Sequence, residues 1–416
     1  MSEPAPDTPD LDQLFRRDAG RLVAWLGRVF GAGRLDLAED VVQDALAAAL
    51  ESWSWRGVPE RPDAWLATVA RNRAIDRLRR EMRLPAVAPG EQLAAPAAAE
   101  DVLLPPPLAD DTLRLMFVCG HPALGEATQL ALMLKTVCGF SVEEIAGAFL
   151  GKPAAIAQRL VRAKARIREL KLPFAVPEPE EMAARLRPVL RGVYLLFDAG
   201  YRARNGEALV RDALCREAVR LIELLTAEPR TARPETHALA ALVMLHHARL
   251  PARLAADGSL LTLEQQDRSL WDALLIERGF RHLQAARHGE LLTAYHLEAG
   301  IAAAHAAAAS FGETNWSAIV GWYDALLEIA PGPVVAMNHA VAVALRDGPA
   351  AGLALLRPLA RDRRLAAYGP FHATLGELER RHGDYVAAAA AFRLALALRP
   401  NAAERRLLEA RLAACG

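Results

Sequence analysis

Wherever the apolar residues of this 416-residue chain are periodic, the period is three to four, and alternation of period two is missing. One amphipathic stripe after another therefore points to an all-α protein. The most informative stretch is SVEEIAGAFLGKPAAIAQRLVRAKARIR, Ser141 to Arg168. Ser141 followed three residues later by Glu144 is a capping box, so a helix is expected to begin at Val142. It should end near Phe149, because Gly151 interrupts it and Pro153 cannot continue it. Pro153 suits the first turn of a second helix, where its missing N–H costs nothing. That second helix spaces Ile156, Leu160, Ala163 and Ile167 along one buried face. Gln158, Arg159, Arg162, Lys164, Arg166 and Arg168 fall outside the stripe, with Lys152 before, Lys171 after and only Glu169 opposing. A solvated basic face would explain the charges alone. Start signal, turn and basic second helix together favour a helix-turn-helix that reads DNA.

The charge balance does not advertise such a role, since 50 Lys and Arg face 50 Asp and Glu. Nucleic-acid contact must then come from local patches rather than a global field. Cys119, Cys138, Cys215 and Cys415 are too far apart for a CxxC pair, so reduced thiols in a cytoplasm are expected rather than a disulfide framework or a zinc site. Cys119 and His121 lack a third and fourth ligand at any usual spacing. The acidic, Pro-containing start MSEPAPDTPD is unlike a signal peptide, and no apolar run is long enough to span a bilayer. A soluble, cytoplasmic protein with no membrane contact is expected. No Ser/His/Asp set and no phosphate-cradling Gly motif occurs, so neither an enzyme nor a cofactor or metal is expected.

The N-terminal part shows three helical stripes. Leu11, Leu14, Phe15, Leu22, Trp25, Leu26 and Val29 mark the first, ended by Gly31 and Gly33. A second runs from about Asp36 to Glu51, and its outer face carries Asp36, Asp40 and Asp44 at intervals of four. Such a stripe reads either as a solvated face or as a docking surface for a basic partner. SWSWRGVPERP follows and is expected to be a loop holding Trp53, Trp55, Arg56 and Gly57. Two tryptophans there either fold back on the core or stack on unpaired bases. A third helix from Pro62 to about Arg80 turns Arg71, Arg73, Arg77, Arg79 and Arg80 outward, so that a second basic helix flanks the aromatic loop.

DLAEDVVQDALAAAL, SWRG and PDAWLATVARNRAIDRLRR together resemble the second region of an extracytoplasmic-function sigma factor, and the helix-turn-helix resembles the fourth region of that family. The resemblance implies core RNA polymerase and promoter DNA as partners. It places Asp36, Asp40, Gln43 and Asp44 against the clamp helices of the largest polymerase subunit, with the flap as a further contact. It places Trp55, Arg56 and Gly57 on the loop that traps a flipped base of the minus-ten element, with Asn72 facing the same DNA. Gln158, Arg159 and Arg162 fall on the helix that enters the major groove at the minus-thirty-five element. Ala157 stands where many relatives carry a polar base-contacting residue. The two sigma domains would occupy residues 10–83 and 109–172.

Residues 84–108 are Ala- and Pro-rich without a stripe and are expected to be a linker. Past the breaker KLPFAVPEPE, residues 180–416 are again helical. Asp347–Gly348 before PAAGLALLRPLA echoes Gly383–Asp384 before YVAAAAAFRLALALRP, a spacing close to the tetratricopeptide period of about 34. A tetratricopeptide-like module is expected, with a concave binding face. Two stretches within this half, GYRARNGE and LEQQDRSLWD, supply Tyr201, Asn205, Asp267, Arg268 and Trp271. They form either a buried structural network or a contact for a regulatory protein or ligand. The layout resembles a sigma-factor subgroup whose extension regulates activity. The alternative is a stand-alone helix-turn-helix regulator with a ligand- or peptide-sensing extension.

Overall fold

A computed structural model describes residues 11–83, 109–148, 151–201, 208–289 and 291–416. The linker expected at 84–108, Phe149 and Asn205 lie outside the described residues. Among those described the fold is all-α, with an isolated bridge between Leu254 and Leu260 in place of any strand. Contacts divide the chain into two compact units, Met1–Leu196 and Phe197–Gly416.

The first unit begins with three packed helices: α1 (Leu11–Phe30), α2 (Leu35–Arg56) and α3 (Pro62–Arg83). Their stripes meet as spaced, burying Leu22, Trp25 and Leu26 of α1, Val41, Val42 and Ala45 of α2, and Leu66, Ala70 and Ala74 of α3. One expectation is corrected. The stretch SWSWR is not a loop but the last turn of α2, which stops only at Gly57, where φ is 75°. Trp53 carries the helix onward because its ring has core partners in Phe15 at 5.5 Å and Trp65 at 5.4 Å.

Next come α4 (Ala109–Cys119), α5 (Glu126–Leu132), a π-helical turn (Met133–Val137), α6 (Val142–Ala148) and α7 (Pro153–Glu169). The capping box forms as its spacing dictates. The Glu144 N–H donates to Ser141 Oγ at 3.1 Å, and the Ser141 N–H donates to the Glu144 carboxylate at 2.8 Å. Gly151 donates its N–H to the Ala146 carbonyl at 2.8 Å, and Pro153 opens α7, which buries Ile156, Leu160, Ala163 and Ile167.

Helix α8 (Pro179–Tyr201) follows the breaker. The sequence places the start of the C-terminal addition at residue 180, yet most of α8 completes the core of the first unit. Met182, Leu186, Val189 and Val193 are buried, and Arg185 donates to the Phe117 carbonyl at 3.1 Å. Val189 lies against Gly120 and Met133 against Gly192, where a side chain at either glycine would collide.

In the second unit α9 (Ala208–Ala227), α10 (Pro234–His247), α11 (Ala273–Ala285), α12 (Ala294–Ala307) and α13 (Trp316–Ile329) precede α14 (Pro333–Asp347) and α15 (Pro349–Leu356). A short α16 (Arg363–Ala366) then leads to α17 (Gly369–His382), α18 (Tyr385–Ala397) and α19 (Ala402–Ala413). Helix α10 is apolar nearly all round and is buried from Ala238 to Leu245, packed against α9, α11 and α12. The repeat seen in the sequence becomes two helical hairpins, α14–α15 and α17–α18. Gly348 turns the first at φ 97° and ψ 160°, a region only glycine enters at little cost, and Gly383 with Asp384 turns the second. Phe371 and Phe392 fill the hairpin cores, and buried Glu379 accepts two hydrogen bonds from Arg357 at 2.9 and 2.7 Å.

Candidate nucleic-acid and partner interface

The outer face of α2 presents Asp36, Asp40, Gln43 and Asp44, all exposed. Helical spacing of four puts the three carboxylates in one row, where like charges repel modestly. Neighbouring cations relieve that repulsion. Arg77 approaches Asp40 at 3.4 Å and Arg73 approaches Asp44 at 3.8 Å, both from α3. Lys164 and Arg168 of α7 each reach Asp36 at 2.9 Å. The α3 pairs are half exposed, so each contributes at most about 1 kcal/mol and opens readily to another partner.

Beyond the acidic row lie two tryptophans with opposite fates. Trp55 is 91% exposed, beside exposed Arg56 and Gly57, and its indole is free to stack on a flat partner. Trp53 is 6% exposed and belongs to the core, so its assignment as a DNA contact is withdrawn. Asn72, Arg73 and Arg77 are exposed on α3, which also carries Arg80.

On α7, Ala157, Gln158, Val161, Arg162, Arg166 and Arg168 are among the exposed residues, with Arg159 half-buried. Arg166 pairs with Glu169 at 3.2 Å. Lys164 does not share this face, which corrects its assignment as a DNA contact. It points at α2 and sits 2.6 Å from Glu39, a residue with no signal of its own in the sequence. Burial disfavours the Lys164 ammonium, but the Glu39 and Asp36 carboxylates outweigh that and hold its pKa above the ordinary lysine value.

In the second unit, Asp267 caps the short turn Arg268–Leu270 by accepting from the Ser269 N–H at 2.9 Å. Arg268 donates to the His305 carbonyl at 2.6 Å and the Ala308 carbonyl at 2.5 Å, at the negative end of α12. Its guanidinium lies 4.8 Å from the Trp271 ring centre, and that of Arg249 lies 5.4 Å away. Tyr201 stacks on Phe197 at 5.4 Å and receives Arg253 over its ring at 4.0 Å. Each of these residues thus has a structural partner within the unit. Burial and the nearby Arg249 and Arg268 push His305 down to about 3. In the first unit, burial pushes the Cys119 thiol up, and His121 Nδ1 accepts from the Ala123 N–H at 3.1 Å. No helix among the described residues is long and apolar enough to cross a membrane.

The first unit thus joins a three-helix module with an acidic outer face to a basic helix set behind a capped turn. Residues 14–84 match the family model for sigma-70 region 2. Over 160 residues the chain is 34% identical to the RNA polymerase sigma factor CarQ of Myxococcus xanthus, covering 38% of this chain and 87% of CarQ. The chain belongs to the sigma-70 family, as a sigma factor of the extracytoplasmic-function type with a C-terminal extension. Membership implies core RNA polymerase and promoter DNA as partners. Its likeness to an uncharacterized protein of Rhizobium meliloti (strain 1021), R00370, runs through the extension as well: 42% identity over 374 residues, 89% of this chain and 88% of that one. Residues 185–287 match a family of unknown function, DUF6596. No solved structure matches.

Proposed function

We propose that this chain is an alternative sigma factor that docks on core RNA polymerase through α2 and initiates transcription at promoters read by α3, Trp55 and α7. The observation that carries the reading is the layout of α2. Exposed carboxylates Asp40 and Asp44 line its flank, and the exposed Trp55 stands at its end, so one helix joins a polymerase contact to a base-capturing one. Unstacking a base costs a few kcal/mol, and stacking it on an indole returns about 1–3. In this reading Gln158, Arg159 and Arg162 of α7 enter a major groove, arginine suiting guanine edges and glutamine suiting adenine. The work is binding and strand capture in the cytoplasm, with no covalent chemistry. The hairpins of the extension support a tetratricopeptide-like regulatory module that takes a protein or ligand partner.

The experiment is a binding titration of purified core polymerase with the full chain and with an Asp40→Arg/Asp44→Arg variant. The wild type should bind in the nanomolar range and the variant at least tenfold more weakly. Equal binding by both would remove α2 as the docking helix.

A further inference from the structure

Several arginines of the second unit meet a carboxylate. Arg357 is bonded to Glu379, and Arg380 and Arg381 share Glu377. Three others do not. Arg249, Arg253 and Arg268 are half-buried around Tyr201 and Trp271, and no carboxylate among the described residues pairs with any of them. Acids of the neighbourhood are engaged elsewhere: Asp267 by the Ser269 hydroxyl, Asp272 by the Leu275 N–H and Glu313 by the Ser310 hydroxyl.

The groups that hold these arginines are neutral. Arg253 donates to the Tyr201 carbonyl at 2.5 Å, and Arg268 donates to the His305 and Ala308 carbonyls. Such bonds fix two guanidiniums in place without cancelling their charge. Arg249 is held less well. Among the described residues it reaches only Gln266 Oε1, at 3.4 and 3.5 Å, beyond the usual hydrogen-bond range. Most of its five donors are therefore idle. Burial disfavours its charge first and Arg253 adds repulsion, which Tyr201 only partly offsets, so its pKa lies below the ordinary arginine value.

A second idle donor lies alongside. Trp271 is 6% exposed, and the guanidiniums of Arg268 and Arg249 lie 4.8 and 5.4 Å from its ring centre. Its indole N–H can only donate, and it meets no acceptor among the described residues. Idle guanidinium donors, an idle indole donor and uncancelled positive charge are all satisfied by one kind of group, an oxyanion. More than one guanidinium lacks an acid, which favours a dianionic phosphoryl group over a carboxylate. The arginines are recessed against a buried indole rather than spread along a surface, which favours a small molecule over a polyanion.

We propose that Arg249, with Arg253, Arg268 and the Trp271 N–H, forms a binding site in the extension for a small phosphorylated molecule. The proposal gives a chemical class to the ligand suggested above for the extension, and rests on that reading only for the ligand's regulatory role. Two of the guanidiniums are already fixed by carbonyls, so the site spends little side-chain entropy on capture.

A phosphate titration of the full-length chain tests the site, with ionic strength held constant by chloride. Trp271→Phe identifies the Trp271 indole N–H resonance among the seven tryptophans. Inorganic phosphate should shift that resonance saturably, and acetate should do so at least tenfold more weakly. Arg249→Met keeps an apolar stem but loses the charge, and should weaken phosphate binding at least tenfold. Removing this cation leaves no acid unpaired, so phosphate-free Arg249→Met should melt no lower than the wild type. A purely structural arginine behaves in the opposite way: its variant melts lower and keeps the phosphate response. That result would overturn the site, as would the lack of a saturable shift at Trp271 or an equal response to acetate. A shift produced by single-stranded RNA but not by phosphate would also overturn it, making the patch a nucleic-acid contact. None of these readings involves polymerase, so a failure of the sigma-factor reading would show separately, as loss of core binding with phosphate binding intact.

Discussion

Trp53 meets Trp65 nearly edge to face, with ring centres 5.4 Å apart, and so fastens the last turn of α2 to α3. Phe15 closes the other side at 5.5 Å. The next tryptophan, Trp55, is turned outward because two residues along a helix rotate the side chain to another face. The pair therefore divides its labour between fold and function, and substitution separates the two.

Trp53→Ala should destabilise the first unit by about 3–5 kcal/mol, the usual cost of emptying a buried aromatic site. Trp55→Ala should change stability by no more than about 0.5 kcal/mol. Urea unfolding checks both. In the presence of core polymerase, Trp55→Ala should still bind promoter duplex but melt it poorly, read by permanganate reactivity of unpaired thymines.

Ser141→Ala removes the Oγ that accepts the Glu144 N–H and caps α6, while the backbone N–H of residue 141 still donates to the Glu144 carboxylate. A loss of about 1 kcal/mol is expected. Duplexes carrying the minus-thirty-five element should bind more weakly, because α6 sets the turn that aims α7. Thermal melting and a gel-shift titration read the two effects together.

Arg159→Glu/Arg162→Glu should weaken DNA binding across all sequences where these residues hold phosphates, and change base preference where they read an edge. The slope of log affinity against log salt should fall by roughly two if both contact phosphates. An unchanged slope and unchanged selectivity would take α7 out of the DNA interface.

Acid should loosen the second unit. His282 is pushed down to about 4, by burial first and then by His237, Arg278 and Arg281, and its Nδ1 lies 2.9 Å from that of His237. The unfolded chain has a histidine pKa of about 6.5, so below that it binds protons that the folded unit resists. Stability is full above about pH 6.5 and falls as pH drops toward 4. His305, pushed down to about 3, adds to the same trend. Hydrogen exchange of α10 and α11 between pH 7 and pH 5 should show the loosening, and His282→Gln should flatten it.

What could be read from the sequence was local. The capping box at Ser141, the break at Gly151, Pro153 at the head of α7 and the buried stripe of that helix all depend on neighbours within a few positions. The hairpin repeat was legible for the same reason, since Gly348 and Gly383 mark the turns themselves. The failures were decided by distant partners. Trp53 and Trp55 look alike in a polar stretch, and only Phe15 and Trp65 bury one of them. Lys164 sits at the edge of the apolar stripe, and Glu39, 125 positions away, determines where it points. The Pro-rich breaker before α8 signals a new domain, yet Val189 packs on Gly120 and Gly192 on Met133, both within the first unit. No local pattern announces any of these.

Run-off transcription shows whether this chain directs initiation. Purified core polymerase, the full-length chain and a pool of promoter-like fragments would be combined, with a truncation after residue 201 that keeps α8. Discrete transcripts are expected that require the chain, vanish with Asp40→Arg/Asp44→Arg, and change in amount in the truncation. A chain that shifts duplex DNA without polymerase but directs no initiation would contradict the sigma-factor reading.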